Sequence, residues 1–424
     1  MSEPLTTLYV GIDVSKNSNQ VCALNFNSKN YINSSFKNNQ EGAQELGNKL
    51  VELCIKNDFK QMIIVLESTG VFSYHIANYL SASHDFLAFN VIVYVVNAKM
   101  IKNYGKSYID TSKTDPKDAF MLADFARVGR CNELTPYRGS QRLALQRLTR
   151  HRKHLVDLVS REKEYVTANI FIKFSEFNNG KHGFGTFSDF FSNTAVEILL
   201  KYKSAEQIAK TPIENLTEFI VKSGKNRFEN PKEIAKNLQA AARASYRLDK
   251  VAFKPVNVAI ASSLRMIQVY EHEISLIDKE IELLIKGLDN QNEFNSLISI
   301  PGIGHVFAAG ILSEIGSVKD FDSDSALAKY IGLTWKDSQS GEYQSENTPM
   351  QKAGNVYLRY YIIEAANMVR LCETEYHNYY KKKYDEVKIH QHPRALVLTA
   401  RKLVRLIYTL ASKDQLYSPK SNRE

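Results

Sequence analysis

Cysteine is scarce in this 424-residue chain, and its four copies fall at Cys22, Cys54, Cys131 and Cys372 with no paired spacing. That excludes a zinc site of the CxxC type and a disulfide framework, and points to reduced thiols in a cytosol. Long apolar runs are also lacking. No stretch approaches the eighteen or so residues of a membrane span, and the amino terminus has no basic-then-apolar signal pattern. No membrane partner is therefore expected, and the expected location is the cytoplasm. Acids are the minority charge, 46 against 55 lysines and arginines, and the formal charge of +9 favours a polyanionic partner. The length suggests about three domains.

The acids that are present include four at particular places. Asp13 lies in the apolar run Leu8-Tyr9-Val10-Gly11-Ile12-Asp13-Val14, and Glu67 closes Met62-Ile63-Ile64-Val65-Leu66-Glu67 before the turn-like Ser68-Thr69-Gly70. Both runs have strand composition. A carboxylate near the end of such a strand is not placed there by packing, and the carboxyl ends of buried strands form the rim of an open sheet, where ligand crevices lie. Further on, Lys113-Thr114-Asp115-Pro116-Lys117-Asp118-Ala119 puts two acids three apart where a helix begins, hence on one helix face. Capping alone accounts for that stretch: Asp115 is a good N-cap, Pro116 suits the first helical position and Asp118 complements the helix dipole. Convergence with Asp13 and Glu67 accounts for it functionally. Four carboxylates on one rim can hold two Mg²⁺ ions about 4 Å apart, a clamp on the attacking and leaving oxygens of phosphoryl displacement.

The order Asp13, Glu67, Asp115, Asp118, with the phrase Lys113-Thr114-Asp115-x-x-Asp118-Ala119, resembles the RuvC-like DEDD domain of the Piv and IS110 class of transposases and site-specific recombinases. The resemblance extends over nearly the whole chain. It implies an enzyme that cuts and rejoins DNA, the four acids as catalytic and metal-binding residues, Mg²⁺ or Mn²⁺ as cofactor, and a structured guide RNA encoded by the mobile element. A homo-oligomer, dimer or tetramer, is expected.

In chain order, residues 7 to about 128 read as an α/β unit. Strands at 8–14, 20–26 and 30–36 come first, with the polar stretch Asn25 to Asn30 suited to a hairpin turn. An amphipathic stretch at 40–56, the Glu67 strand, a helix near 72–82, a strand at Asn90 to Val96 and the Asp115 helix complete a ribonuclease-H-like order. Between the last two, Lys99 to Lys113 reads as a basic lid for a phosphate backbone or as a solvated loop. From 139 to about 170, Leu143, Leu148, Leu155 and Val159 form a narrow stripe on a basic helix that carries Arg142, Arg147 and Arg150. Its expected partner is 256–287, where Ile260, Ile267, Ile274 and Ile281 recur every seven residues as a coiled-coil seam. That seam serves an antiparallel hairpin within one chain or a dimer. Residues 171–250 hold an aromatic-rich stretch with Gly180, Gly183 and Gly185, and a helical stretch at Ala205 to Ser223, but no chemistry.

The third region opens with Ile300-Pro301-Gly302-Ile303-Gly304, a helix-hairpin-helix-like turn whose amides can face a phosphate, or a tight packing turn. Then come Tyr330-Ile331-Gly332-Leu333-Thr334-Trp335, Ser338-Gln339-Ser340-Gly341 and Lys352-x-Gly354-Asn355-x-x-Leu358-Arg359. These phrases resemble the carboxyl-terminal transposase domain of the same class, in which the serine before glycine is the nucleophile. That implies Ser340, with Ser338 as backup, because Thr334-Trp335 replaces a proline-containing segment and the spacing to Lys352 differs by about a residue. No histidine lies near Ser340 in sequence, so the electrostatics would come from the metal site. Lys113, Arg142, Arg150, Lys352 and Arg359 are the candidate nucleic-acid contacts.

The expected architecture is α/β plus all-α: a RuvC-like DEDD domain (1–130), a helical coiled-coil arm (131–292), a carboxyl-terminal transposase domain (293–411) and a disordered tail (412–424). The expected function is that of a DNA transposase acting by phosphodiester transesterification. A metal-dependent nuclease of the Holliday-junction resolvase kind would need the acids but not Ser340, and a catalytically silent nucleic-acid-binding protein would need neither.

Overall fold

The structure is a computed structural model that describes residues 4–419 except 69, 107–114, 132, 133, 135, 138, 178–186, 188, 288–290, 336–338, 341, 342, 345–349 and 352. Of Lys99, Gln141, Gln339, Ser340, Tyr343 and Gln344 it describes the backbone alone. The chain forms two units, residues 1–147 together with 284–424, and residues 148–283.

The first unit begins with β1 (Thr7–Val14), β2 (Ser18–Leu24) and β3 (Asn30–Lys37), then α1 (Gln40–Asn57), β4 (Gln61–Glu67), α2 (Ser73–Ala82), β5 (Asn90–Val96), α3 (Ala98–Gly105) and α4 (Asp115–Arg127). The sheet order is β3-β2-β1-β4-β5. The first three strands pair antiparallel, while β1, β4 and β5 run parallel. This mixed five-stranded α/β domain fits a RuvC-like fold, as expected. Side chains alternate across a strand, so Leu8, Val10, Ile12, Met62, Ile64 and Leu66 enter one core with Leu46 and Leu50 of α1 and Ile76 and Leu80 of α2. Tyr9, Val65, Tyr94 and Val96 face the other way, against Leu122, Phe125 and Ala126 of α4. Cover on both faces explains why the parallel strands read as continuous apolar runs.

One expectation changes within this domain. The amino-terminal part of the supposed Lys99–Lys113 lid is the helix α3, anchored by buried Ile101 and by Tyr104, whose hydroxyl donates to Asp124 Oδ2 at 2.5 Å. Tyr104 also stands edge-on to Phe125 at 5.4 Å. A branched residue, Ile101, and an aromatic, Tyr104, at the fourth and seventh positions of α3 supply the anchoring face. Lys102 and Lys106 remain exposed.

α5 (Ser140–Lys173) leads into the second unit, which holds α6 (Asn193–Lys201), α7 (Ala205–Lys210), α8 (Ile213–Ser223), α9 (Pro231–Ala244) and most of α10 (Lys250–Lys286). Arg152 pairs with Asp278 at 2.5 Å, Lys163 with Glu271 at 2.9 Å, and Lys173 Nζ donates to Asn257 Oδ1 at 2.7 Å. Partners descend α10 as they ascend α5, so the two helices form an antiparallel hairpin within one chain. Val159, Val166 and Ile170 of α5 share a core with Ile260, Leu264 and Ile267 of α10. α10 starts six residues before the expected seam and carries Pro255 inside it, which has no amide to donate to the carbonyl four residues earlier. The expected helical stretch Ala205–Ser223 is two helices, because Pro212 has no amide to continue α7 and instead stands at the N-cap of α8. Phe174, Phe177 and Phe187 are buried among these helices, whereas Gly180, Gly183 and Gly185 lie outside the described residues.

The chain returns to the first unit through α11 (Asn292–Ile298), α12 (His305–Ile315) and α13 (Asp324–Ile331), the short strands β6 (Gln339–Ser340) and β7 (Tyr343–Gln344), and α14 (Val356–Cys372), α15 (Thr374–Asp385) and α16 (Gln391–Ser412). Gly302, in the turn between α11 and α12, has φ +95° and lies so close to α14 that a Cβ would fall 2.7 Å from Val369 N. The packing explanation of that glycine therefore stands on its own. The segment after Ser412, expected to be disordered, is held as far as Tyr417. Asp414 pairs with Lys319 at 2.6 Å, and Tyr417 donates its amide to Ser299 Oγ at 2.8 Å and its hydroxyl to Glu373 Oε2 at 3.0 Å. A single aromatic with a polar tip suffices to dock a tail that is otherwise polar. No helix of the described residues is long and apolar enough to cross a membrane. All four cysteines are free, and burial pushes the Cys22 thiol up to about 11 and those of Cys54 and Cys131 up to about 12.

Candidate catalytic site

Strand register decides where the first two acids meet. Ile12 pairs with Leu66 across the parallel β1–β4 ladder, so the next residues, Asp13 and Glu67, stand side by side at the carboxyl ends of neighbouring strands. Neighbouring strands are about 4.8 Å apart. Both acids have the parity of Tyr9 and Val65 and hence face α4.

Glycine brings that helix down onto the sheet. A Cβ on Gly11 would lie 2.1 Å from Ala119 O and 2.3 Å from Ala123 N, so the α4 backbone rests directly on β1. At the far end of α4, Arg127 Nη1 donates to Phe26 O at 3.1 Å. Phe26 follows the end of β2, where Leu24 pairs with Tyr9 near the start of β1. α4 therefore runs antiparallel to β1, and its first turn, with Asp115 and Asp118, lies at the end of the sheet that carries Asp13 and Glu67. Asp115 is exposed and the other three are half-buried. One rim thus carries all four acids.

Four carboxylates are a hard-oxygen donor set, which suits Mg²⁺ or Mn²⁺ and not a soft metal. The donor chemistry fits such an ion. Among the described residues, though, no three His, Cys, Asp or Glu side chains stand close enough together to form a closed ligand set.

Ser340 lies in the antiparallel hairpin of β6 and β7. Ser340 pairs with Tyr343, and Trp335 bridges Met350. The phrase Gly354-Asn355-x-x-Leu358-Arg359 builds the base of this hairpin. A Cβ on Gly354 would fall 2.5 Å from Gly332 N, so only glycine allows that crossing. Asn355 accepts from the amides of Tyr357 and Leu358, each at 3.0 Å, which caps α14. Leu358 is fully buried. Arg359 Nη1 donates to Ile331 O at 3.1 Å, and the desolvation of its half-buried guanidinium lowers its pKa from the ordinary value. Arg359 is thus a clasp at the foot of the hairpin. Arg142 likewise has internal work: its Nε donates to Ser313 O at 3.0 Å near the carboxyl end of α12, a favourable place for a cation. Arg150 is half-buried in the second unit. Lys113, Ser338 and Lys352 lie outside the described residues.

Residues 10–212 match the DEDD transposase model of the IS110 type, and residues 295–381 match the Transposase IS116/IS110/IS902 family. The two matches contain the four rim acids and Ser340 respectively. The chain belongs to the IS110 family of transposases. A 44.8 kDa protein of insertion element IS116 from Streptomyces clavuligerus is 23% identical over 334 residues, 77% of this transposase and 78% of that protein. The pilin gene-inverting protein of Moraxella bovis is 29% identical over 121 residues, 28% of this chain and 34% of that one. A probable family 20 transposase of Pseudomonas aeruginosa is 23% identical over 156 residues, 36% of this chain and 44% of its own. Membership makes the chain a DNA-rearranging enzyme with DNA as its substrate.

Sequence reasoning missed one polar centre of the transposase. Glu314 is 1% exposed and its Oε2 accepts from Asn355 Nδ2 at 2.7 Å and from Gln146 Nε2 at 3.2 Å. It joins the start of α5 to the cap of α14. The available signal was an acid closing the apolar helix His305–Ile315, the pattern that marked Glu67 at a strand end.

Proposed function

We propose that this transposase cuts and rejoins DNA through Ser340 as nucleophile, beside a divalent cation held by Asp13, Glu67, Asp115 and Asp118, and that a structured RNA guides it to its sites. The observation that carries the reading is the shared rim: Asp13 and Glu67 in register, under the first turn of the helix that bears Asp115 and Asp118. The ion, when bound, supplies positive charge to the phosphate under attack. In the reaction, the Ser340 hydroxyl oxygen bonds to phosphorus and the bond from phosphorus to one bridging ester oxygen breaks. The serine proton leaves to solvent, and the departing strand oxygen takes one up. Attack by the hydroxyl of the incoming strand reverses the step and restores the serine. The hairpin foot formed by Gly354, Asn355 and Arg359 fixes the strand that presents Ser340. Lys113, Arg150 and Lys352 are proposed to contact the nucleic acid backbone, and a homo-oligomer brings two such centres together.

The test is recombination by purified protein in Mg²⁺ or Mn²⁺. Asp115→Ala should lose strand cleavage while retaining nucleic acid binding, and EDTA should abolish turnover by the wild type. Recombination by Asp115→Ala at the wild-type rate, or undiminished turnover in EDTA, refutes the rim as a metal centre. Mixing Asp115→Ala with Ser340→Ala protein reads sharing between subunits, since partial activity from two inactive variants requires complementation in trans.

A further inference from the structure

Behind the carboxylate rim, on the side of α2, is an open cavity of about 370 Å³ that the reading above does not use. Its walls separate into two chemistries. Lys16 and Arg147 are cationic and exposed and His75 adds an exposed imidazole, whereas Val71, Phe72 and Leu143 are apolar. Phe72 is 41% exposed and Val71 50%, so two adjacent apolar side chains face solvent beside the basic groups. Among the described residues, no carboxylate lines the cavity.

The cavity is also built rather than incidental. The Asn38 amide donates to Ser15 O at 2.8 Å and to Phe72 O at 3.3 Å, tying the segment after β1 to the segment after β4. Arg147 lies over the Tyr74 ring at 4.4 Å, and the Tyr74 hydroxyl donates to Gln146 Oε1 at 3.3 Å, so the α5 wall is fixed to the α2 wall. Lys16 follows Asp13 by three residues and Val71 follows Glu67 by four. The two segments that leave the carboxylate rim are therefore the ones that form the cavity.

We infer that this cavity seats one unpaired nucleotide of the DNA strand next to the phosphate being cut, its phosphate on Lys16, His75 and Arg147 and its base against Phe72, Val71 and Leu143. The volume lies in the range of small-ligand sites and is too small for a duplex. Cations with exposed aromatics are what single-stranded nucleic acid recognises, because the cations meet the backbone and every base has a stacking face. The inference rests on the proposed reading only in taking the rim as the place where the strand is cut. DNA is assigned because the cavity continues the segments that bear the rim acids, over which the substrate strand must pass.

The test uses the full-length protein in EDTA, so that neither metal nor cleavage enters. The probe is a single-stranded DNA 20-mer with one thymine replaced by 5-iodouracil, together with its duplex and the RNA 20-mer of the same sequence. Ultraviolet cross-links should map to residues 70–75 or 143–147 and should be strongest with single-stranded DNA. Phe72→Ala should weaken binding of that strand about tenfold. Lys16→Gln with Arg147→Gln should lower the salt slope by roughly 1.4, two single-strand phosphate contacts at about 0.7 each. All variants should keep the wild-type melting temperature within a few degrees, since these side chains are exposed. Cross-links that avoid the cavity, a salt slope unchanged in the double variant, or a preference for the RNA 20-mer would each overturn the inference. Failure here with Asp115→Ala still inactive leaves the rim reading intact, whereas cavity cross-links with a fully active Asp115→Ala protein remove the rim reading alone.

Discussion

Gly11→Ala is the smallest change that separates α4 from the sheet. The added Cβ would meet Ala119 O at 2.1 Å, Ala123 N at 2.3 Å and Leu122 Cβ at 2.8 Å. Ordinary contact begins near 3.4 Å, so the helix must retreat by about 1.3 Å. Two of the three atoms are backbone, and no rotamer change relieves them. Overpacking of this kind typically costs 1–3 kcal/mol, and a clash with backbone belongs at the upper end, about 3 kcal/mol. For a unit of this size that corresponds to a melting shift of roughly 6–12 °C. The retreat also carries Asp115 and Asp118 away from Asp13 and Glu67. Calorimetry of the full-length protein should show one transition lowered by that amount, and recombination should fall at temperatures where the variant is still folded. Gly304→Ala is the control: nothing lies within 4 Å of its Cβ and its φ is −85°, so its cost should be well under about 1 kcal/mol. A Gly11→Ala protein with wild-type melting and wild-type recombination would refute the claim that α4 rests on β1 and delivers its acids to the rim.

Gly302→Ala should cost about 2–4 kcal/mol in the same calorimetric assay, because φ is +95° and its Cβ would meet the α14 backbone. Asn355→Ala removes the α14 cap and a partner of buried Glu314, together about 2–4 kcal/mol, and should slow recombination through a loosened Ser340 hairpin; Asn355→Asp keeps the cap but opposes Glu314 and should rescue neither stability nor rate. Lys173 is buried and its pKa is lowered from 10.5 to about 7 by desolvation, with the charge of Lys203 adding to it. Below pH 7 both folded and unfolded states hold the proton and the cost is fully present. Between pH 7 and 10.5 only the unfolded state holds it, so stability should rise with pH by about 1.4 kcal/mol per unit relative to Lys173→Met, and parallel melting curves at pH 7 and 9.5 would refute this.

The domain that carries the acids was legible because its signals are local and repeated. Runs such as Met62 to Glu67 are short, apolar and bounded by turns, and that length with those flanks favours a strand buried on both faces over a helix. The antiparallel hairpin of α5 and α10 was half legible: the seven-residue recurrence of Ile260, Ile267 and Ile281 marks a seam, but only the descending partners of Arg152 and Lys163 say which helix fills it. α3 was not legible as a helix because its anchors are the isolated pair Ile101 and Tyr104. Asp13 and Glu67 stood out as acids at apolar strand ends. Arg142 and Arg359 each donate to a backbone carbonyl, a role that the sequence does not separate from phosphate contact, since both have the same sequence signature. Glu314 went unnoticed because its partners come from residues 146 and 355, far away in the chain.

The most direct test of the proposed chemistry is to stop a recombination reaction with denaturant and map any covalent protein–DNA adduct by mass spectrometry. The account predicts a nucleotide joined through a phosphoester to Ser340 in the wild type, and none in Ser340→Ala or Asp13→Asn protein. Recombination with no adduct, or an adduct on another residue that survives Ser340→Ala, would contradict it.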